Sequence, residues 1–454
     1  MNNYLKTCSE YKRTIGLTIL LIASILPSFL GLGADDKTDT KGLIAFVSFN
    51  WTTKKGDICL IDEEGHNMRQ LTKNQGDNKA PVWSPDGKQI AFLSSRKGTY
   101  YPYVMNADGS SQQCLSPIEA IDRLNWSPSG TQIAFVGLGK SADKDKNWDW
   151  EIYVIDIDGS NLKRLTYNDV DDRAPAWSPD GKQIAFVSYI KQPSQIEIKR
   201  TPNISLQLVS AQIQTLGIWD CTLCLINPDG TNLVNLVNFR REKQNKNDII
   251  DVCYGTDYPL EIPHWWTPDS KKIVLEFLRD CFCADCSAIC SAIGIANLEN
   301  KEIKPLTSRK ICEGPPDLSP DGKQVLCSTT TEKGIPDKCL IDVNNQNIKY
   351  LDILLGRPSD ALDMHHSKSR LEGHAFGCFD SWSLDSKKIV FESLIYTKVT
   401  SKNQCGCSGE FSSILYAIDI EKQPSLTDRC ANLKKLTSRD LNIAHVMPAW
   451  SPVK

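Results

Sequence analysis

Trp177-Ser178-Pro179-Asp180-Gly181-Lys182-Gln183-Ile184-Ala185-Phe186 is the phrase from which the fold can be read. It recurs as Trp83-Ser84-Pro85-Asp86-Gly87 with Ile90-Ala91-Phe92 behind it, and as Trp126-Ser127-Pro128-Ser129-Gly130 before Ile133-Ala134-Phe135. Looser copies begin at Trp266, Leu318 and Trp382, and a shortened one, Trp450-Ser451-Pro452, comes last. The phrase predicts a hairpin. A strand ends at a large aromatic, Pro presets φ for a turn, and Asp and Gly supply the side-chain hydrogen bond and the positive φ that the turn requires. A β-branched and aromatic strand then returns.

Two further phrases follow each hairpin. Glu151–Asp156 (EIYVID), the turn Asp158-Gly159 and Leu162–Thr166 (LKRLT) form the cleanest copy. Third strands are expected at Tyr101–Asn106, Thr222–Asn227, Ala292–Asn297, Asp337–Asp342 and Ile414–Asp419. Fourth strands are expected at Gln112–Ser116, Asn232–Val237, Lys301–Thr307, Asn347–Asp352 and Leu433–Thr437. Each unit is thus a four-stranded antiparallel meander of roughly 40–70 residues, the size of a propeller blade with insertions. The phrases number seven. Leu43–Ser48 is a return strand without a first strand, and 446–450 is a first strand without a return, so the two complete one another. The expected fold is all-β: a seven-bladed propeller closed by pairing 43–48 with 446–450.

The WSPDGK–IAF, DIYVID–DG and LKRLT phrases resemble the TolB-type β-propeller repeat from about residue 43 onward. That resemblance implies the fold, and it leaves function open among binding proteins, enzyme accessory domains and some lyases.

A formal charge of −3 argues against a nucleic-acid footprint, which needs a basic excess or stripe. Residues 1–34 have the plan of a secretory signal peptide: Lys6, Lys12 and Arg13, then an apolar run from Ile15 to Leu32 broken by Pro27, then small residues. An uncleaved membrane anchor is the alternative. Residues 35–42 are a linker and 43–454 the propeller. Either reading places the body of the protein outside the cytoplasm, periplasmic or secreted in a bacterial envelope.

In such a meander the Pro-Asp-Gly and Asp-Gly turns share one face of the ring. The loops between second and third strands and the links between blades share the other. Insertions at 137–149, 190–219, 238–260, 279–289, 353–377 and 396–412 all fall on the second face. Long loops on a rigid scaffold are where binding usually resides. Trp148 and Trp150 among carboxylates, with Asp172, Arg173, His374 and His445 at strand starts on that face, are the candidate binding residues.

The chain has 17 cysteines. Cys59, Cys224 and Cys339 hold the third-strand position occupied by Tyr103, Tyr153 and Tyr416 elsewhere, and are expected in the core. Cys281, Cys283, Cys286, Cys290, Cys378, Cys405 and Cys407 fall in or beside long loops and read as disulfides, with Cys378 pairing with Cys405 or Cys407. Zinc held by the Cys281–Cys290 cluster and free thiols there are the lesser readings, and no other cofactor is expected.

Enzyme chemistry has one foothold. Oligogalacturonate lyases are built on a similar propeller and use a metal held by histidines, and His264, His365, His366, His374 and His445 lie near inner strands. No motif aligns with theirs residue by residue. A Gly-x-Ser-x-Gly elbow and a phosphate-binding Gly-x-x-x-x-Gly-Lys-Ser/Thr are absent from the sequence. Asp156-x-Asp158-Gly159 lacks the downstream Glu of a calcium loop. The leading expectation is an exported, non-enzymatic scaffold that binds a protein or envelope component through its long-loop face. A metal-assisted polysaccharide lyase is the alternative, and a purely structural surface protein is a third reading.

Overall fold

The computed structural model describes residues 42–73, 75–140, 148–191, 219–239, 266–279, 290–307, 316–330, 336–351, 374–403, 406–421, 433–438 and 443–453. All belong to the unit Thr40–Lys454. The first blade holds β1 (Leu43–Asn50), β2 (Lys55–Asp62) and β3 (Arg69–Gln70); the second, β4 (Asn78–Trp83), β5 (Gln89–Ser94), β6 (Tyr101–Asn106) and β7 (Gln113–Cys114). The third holds β8 (Ala120–Trp126), β9 (Gln132–Lys140), β10 (Trp148–Asp156) and β11 (Lys163–Arg164). The fourth holds β12 (Asp171–Trp177), β13 (Ile184–Lys191), β14 (Trp219–Ile226) and β15 (Val234–Phe239). The fifth holds β16 (Lys272–Arg279), β17 (Cys290–Asn297) and β18 (Ile303–Pro305). The sixth holds β19 (Asp317–Leu318), β20 (Gln324–Thr330), β21 (Pro336–Asp342) and β22 (Ile348–Tyr350). The seventh holds β23 (His374–Trp382), β24 (Lys388–Asn403), β25 (Gly406–Asp419) and β26 (Leu433–Lys435), and β27 (Ile443–Trp450) follows it.

The seven sheets are antiparallel, and β27 joins β1–β3 as the innermost strand of the first blade. Closure therefore follows the expectation: Ile44 pairs with Trp450 and Ser48 with His445. In the fifth blade the first strand is reduced, among the described residues, to a bridge between Trp266 and Ile273. One expected loop differs. Most of 396–412 lies in the long β24–β25 hairpin, in which Asn403 pairs with Gly406.

The repeated phrase makes the same turn in the second to the seventh blades. Ser84 Oγ donates to Asp86 Oδ1 at 2.7 Å, Asp86 accepts from the Lys88 N–H, and the Gly87 N–H donates to the Ser84 carbonyl. These bonds outweigh the turn's partial burial and hold the Asp86 carboxyl below its usual range. Gly87, Gly130, Gly181 and Gly322 take the positive φ, while Ser270 and Ser386 take it in the fifth and seventh blades. A non-glycine residue there costs about 1–2 kcal/mol. Both serines use their hydroxyls at a seam: Ser270 Oγ accepts from the Asp180 N–H, and Ser386 Oγ from the Asp321 N–H.

Tryptophan locks blade to blade. The indoles of Trp83, Trp126, Trp266 and Trp382 donate to the carbonyls of Ala449, Val82, Ala176 and Asp317, at 3.1–3.3 Å. Each acceptor lies just before the tryptophan, or Leu318, of the preceding blade. Two seams use a different bond. The Trp177 and Trp450 backbone N–H groups donate to the side chains of Asn125 and Ser381.

The final Thr of LKRLT closes four of the sheets from outside. Oγ of Thr72, Thr166, Thr307 and Thr437 accepts from the N–H of Ile58, Ile152, Ile293 and Leu415. Burial of Ile, Val and Phe from the middle strands supplies the core, roughly 1.5–3 kcal/mol per large side chain. Cys59, Cys224 and Cys339 are buried in it, as their position predicts. Among the described residues no helix is long and apolar enough to cross a membrane.

Candidate functional site

Four innermost strands are bulged in the same way. In β4, β8, β12 and β27 the register shifts opposite Phe92, Phe135, Phe186 and Phe46. Ala80, Asp122, Ala174 and Met447 take left-handed backbone there, with φ of 52–61°. Three of these precede a proline (Pro81, Pro175, Pro448), which has no N–H to leave unpaired. Such bulges re-aim side chains and collect at the rims of closed sheets and beside functional sites. Here they sit where the inner strands face the axis of the ring.

One polar group forms where β8, β10 and β12 begin. The Arg173 guanidinium lies 3.7 Å from Asp122 and 3.3 Å from Asp171, and 5.5 Å above the Trp150 ring. The Trp150 N–H donates to Asp171 Oδ1 at 3.1 Å. Behind them Glu151 is fully buried, accepting from Thr166 at 2.5 Å and from Arg164. Burial pushes its carboxyl up to about 7, against the Thr166 and Arg164 bonds and with the charge of Asp172. Asp172 accepts from Ser188 and Asn168. Burial nevertheless raises it to about 6.

A second group lies at the seam of the sixth and seventh blades. Lys338 is 1% exposed, and its ammonium donates to both oxygens of Asp380, at 2.7 and 2.9 Å, and to Ser328 Oγ at 2.7 Å. Glu392 is buried beside them and is pushed up to about 8 by burial and by the Asp380 charge, with Lys338 opposing. Burial raises Asp380 as well. Asp317 rises to about 7, first by burial and then by the Asp380 charge, while Arg123 pulls it back. Arg123 stands on β8 of the third blade and Asp317 on β19 of the sixth. The Arg123 charge thus acts on a carboxyl of a blade other than its own.

Of the residues singled out in the sequence, Trp150 and Arg173 meet directly, and Asp172 stands behind them. His445 lies elsewhere, buried in β27 with its ring edge-on to Phe46 at 5.3 Å. Trp148 and His374 open β10 and β23, opposite Lys140 and Ile395. Cys290 opens β17 opposite Arg279. Cys281, Cys283, Cys286 and Cys405 lie outside the described residues, as do His264, His365 and His366. Cys378 falls in the β23 bulge opposite the Phe391–Ser393 stretch, whereas Cys407 pairs with Lys402. At about 3.3 Å per residue this register spaces their backbones by about 30 Å, too far for a bridge between those two.

Sequence reasoning missed Lys338, Asp380 and Glu392, although each breaks the repeat. Lys338 stands where other blades have Ile58, Ile152 and Leu415; Glu392 stands where they have Val47, Val136 and Val187. Asp380 replaces the proline of Pro81, Pro175 and Pro448. Among the described residues no group of three or more His, Cys, Asp or Glu is placed to hold a metal ion.

The TolB β-propeller domain model matches residues 38–210, across the first blades described above. Over that stretch the chain matches the TolB-type β-propeller, and the same blade architecture continues in the sheets that follow. It is 33% identical to an uncharacterised protein of Agrobacterium fabrum over 146 residues, 29% of this chain and 47% of that protein. It is 32% identical to a TolB homologue of Chlorobium luteolum over 149 residues, 32% of this chain and 31% of the homologue. The chain thus spans less than half the length of these curated relatives. Among solved structures it is similar to TolB from Acinetobacter baumannii, with TM-score 0.41, 17% identity, and coverage of 68% of this chain and 63% of that one. It is also similar to an oligogalacturonate lyase in complex with manganese, with TM-score 0.49, 14% identity, and coverage of 77% and 82%.

Proposed function

We propose that this propeller is a non-enzymatic binding scaffold of the bacterial envelope, which takes a protein or envelope component on its long-loop face. The observation that carries the reading is the Asp122–Arg173–Asp171–Trp150 group. It combines both charges and an aromatic face at strand starts on the side where the insertions emerge. Tyr167, 69% exposed and stacked on the Arg164 guanidinium, stands on the link that leads to it. Aromatic and arginine side chains are the residue types that dominate protein–protein binding energy. The mechanism is presentation: closed sheets and indole locks fix the strand starts, so little ordering remains to oppose association. The envelope location rests on the signal-like N-terminal sequence and on the TolB-type fold.

Cross-linking and affinity recovery from envelope extracts test the reading, comparing the unaltered chain with Arg173→Ala and Tyr167→Ala at matched folding by circular dichroism. Loss of the same recovered component in both variants supports it. Equal recovery by all three proteins overturns it.

A further inference from the structure

In three blades the middle strands carry an aromatic pair at one register. Phe92 faces Tyr103, Phe135 faces Tyr153 and Phe391 faces Tyr416, with ring centroids 5.5–6.0 Å apart. In the sixth blade the same two positions are Cys327 and Cys339. Both are fully buried, and their sulfurs lie 2.8 Å apart. The substitution is paired. Cys59 and Cys224 also replace the tyrosine, but they face Phe46 and Phe186 and have no thiol across the strand.

We propose that Cys327 and Cys339 form a cross-strand disulfide, which replaces by a covalent bond the aromatic contact that this blade lacks. Directly opposed residues of an antiparallel pair have Cα atoms about 4.5–5.5 Å apart, inside the window that a disulfide requires. The bond forms by exchange with a small-molecule or protein disulfide. One cysteine thiolate attacks that disulfide, its S–S bond breaks and one external thiol leaves. The second cysteine then attacks the mixed disulfide, forming the Cys327–Cys339 bond and releasing the second external thiol. Two electrons pass to the external disulfide, and the two protons end on the released thiols. Because both sulfurs are buried, exchange precedes closure of the blade.

Trypsin offers a direct readout. Cleavage after Lys323, Lys333, Lys338 and Lys349 places Cys327 alone in fragment 324–333 and Cys339 alone in fragment 339–349. The full chain is refolded in a buffer of oxidised and reduced glutathione, alkylated in denaturant without reductant, and digested. The expected result is fragment 324–333 joined to 339–349 until reductant is added, with Cys59 in fragment 56–69 alkylated as a thiol. Finding both fragments separately alkylated, or either joined to another cysteine, overturns the proposal. As a second measurement, the double variant Cys327→Phe with Cys339→Tyr restores the aromatic pair. Reductant is expected to lower the Tm of the unaltered chain by a few degrees more than that of the variant. Equal shifts count against the bridge.

Discussion

The indole of Trp83 donates to the carbonyl of Ala449 at 3.1 Å, across 366 residues of chain. It joins the second blade to the strand that completes the first, and so supports the β1–β27 pairing that closes the ring. Trp83→Phe keeps the ring buried but leaves the Ala449 carbonyl without the indole. The expected loss is about 1 kcal/mol. Removal of 443–454 is expected to do far more, because β1 becomes an unpaired edge. Urea unfolding and size-exclusion chromatography check both: a modest midpoint shift for the point variant, and association or loss of the cooperative transition for the truncation.

The charged seam of the sixth and seventh blades should behave as a unit. Lys338→Ile alone leaves Asp380 and Glu392 buried without their cation, and breaking such a cluster typically costs 3–5 kcal/mol, or roughly that. Restoring the repeat at all three positions, Lys338→Ile with Glu392→Val and Asp380→Pro, should recover most of that loss. Chemical denaturation of the single and triple variants measures the difference. A triple variant as unstable as the single one would show that the charges are individually stabilising.

Stability should fall as pH rises through the neutral range. Glu151, Asp172, Asp317 and Glu392 rise to about 7, 6, 7 and 8 in the fold. Unfolded carboxyls titrate near 4, or about that. Between those values the folded chain holds more protons than the unfolded one, so its advantage is complete below the unfolded value and is lost through the folded values. The turn aspartates work in the opposite sense: Asp86, Asp180 and Asp321 are held low and lose their contribution only at acid pH. The Tm is therefore expected to be higher at about pH 5 than at about pH 8. Glu392→Gln should flatten that slope, and thermal scans across the range would reveal an unchanged slope if Glu392 were not involved.

Two turn glycines should respond differently to alanine. Gly181 and Gly322 share positive φ, so each variant pays backbone strain of about 1–2 kcal/mol. At Gly181 the nearest atom to an added Cβ is Pro128 Cδ at 3.9 Å; at Gly322 it is Pro268 Cδ at 2.5 Å. Gly322→Ala is expected to lose more stability than Gly181→Ala, by about 1 kcal/mol or more, because the seam must shift. Paired melting curves decide it.

The blades were legible because their signals are local and repeated. Trp, Pro, Asp and Gly fix a turn at short range, and Ile-Ala-Phe alternation fixes the strand behind it. Even the closure between 43–48 and 446–450 could be read, since two incomplete units have only each other. Trp150 and Arg173 could be placed by topology, as both open strands on one face. The Lys338–Asp380–Glu392 group was not found. Its residues are far apart in the chain, and each looks unremarkable until compared with the Ile, Pro or Val that other copies place there. Cys327 escaped for a related reason. Cys339 aligns with its own strand position from blade to blade, whereas its partner stands across the hairpin.

The pairing of β27 with β1 also sets an order of events. The first blade emerges from the ribosome with its innermost place vacant, and among the described strands it is β27 that fills it. Every intermediate of synthesis therefore presents β1 as an open template, and the vacancy is exposed longest when the chain is delivered slowly. Commitment to the ring falls on the arrival of one late strand. A chaperone that shielded β1 until then would act on the timing of the fold without touching its final energy.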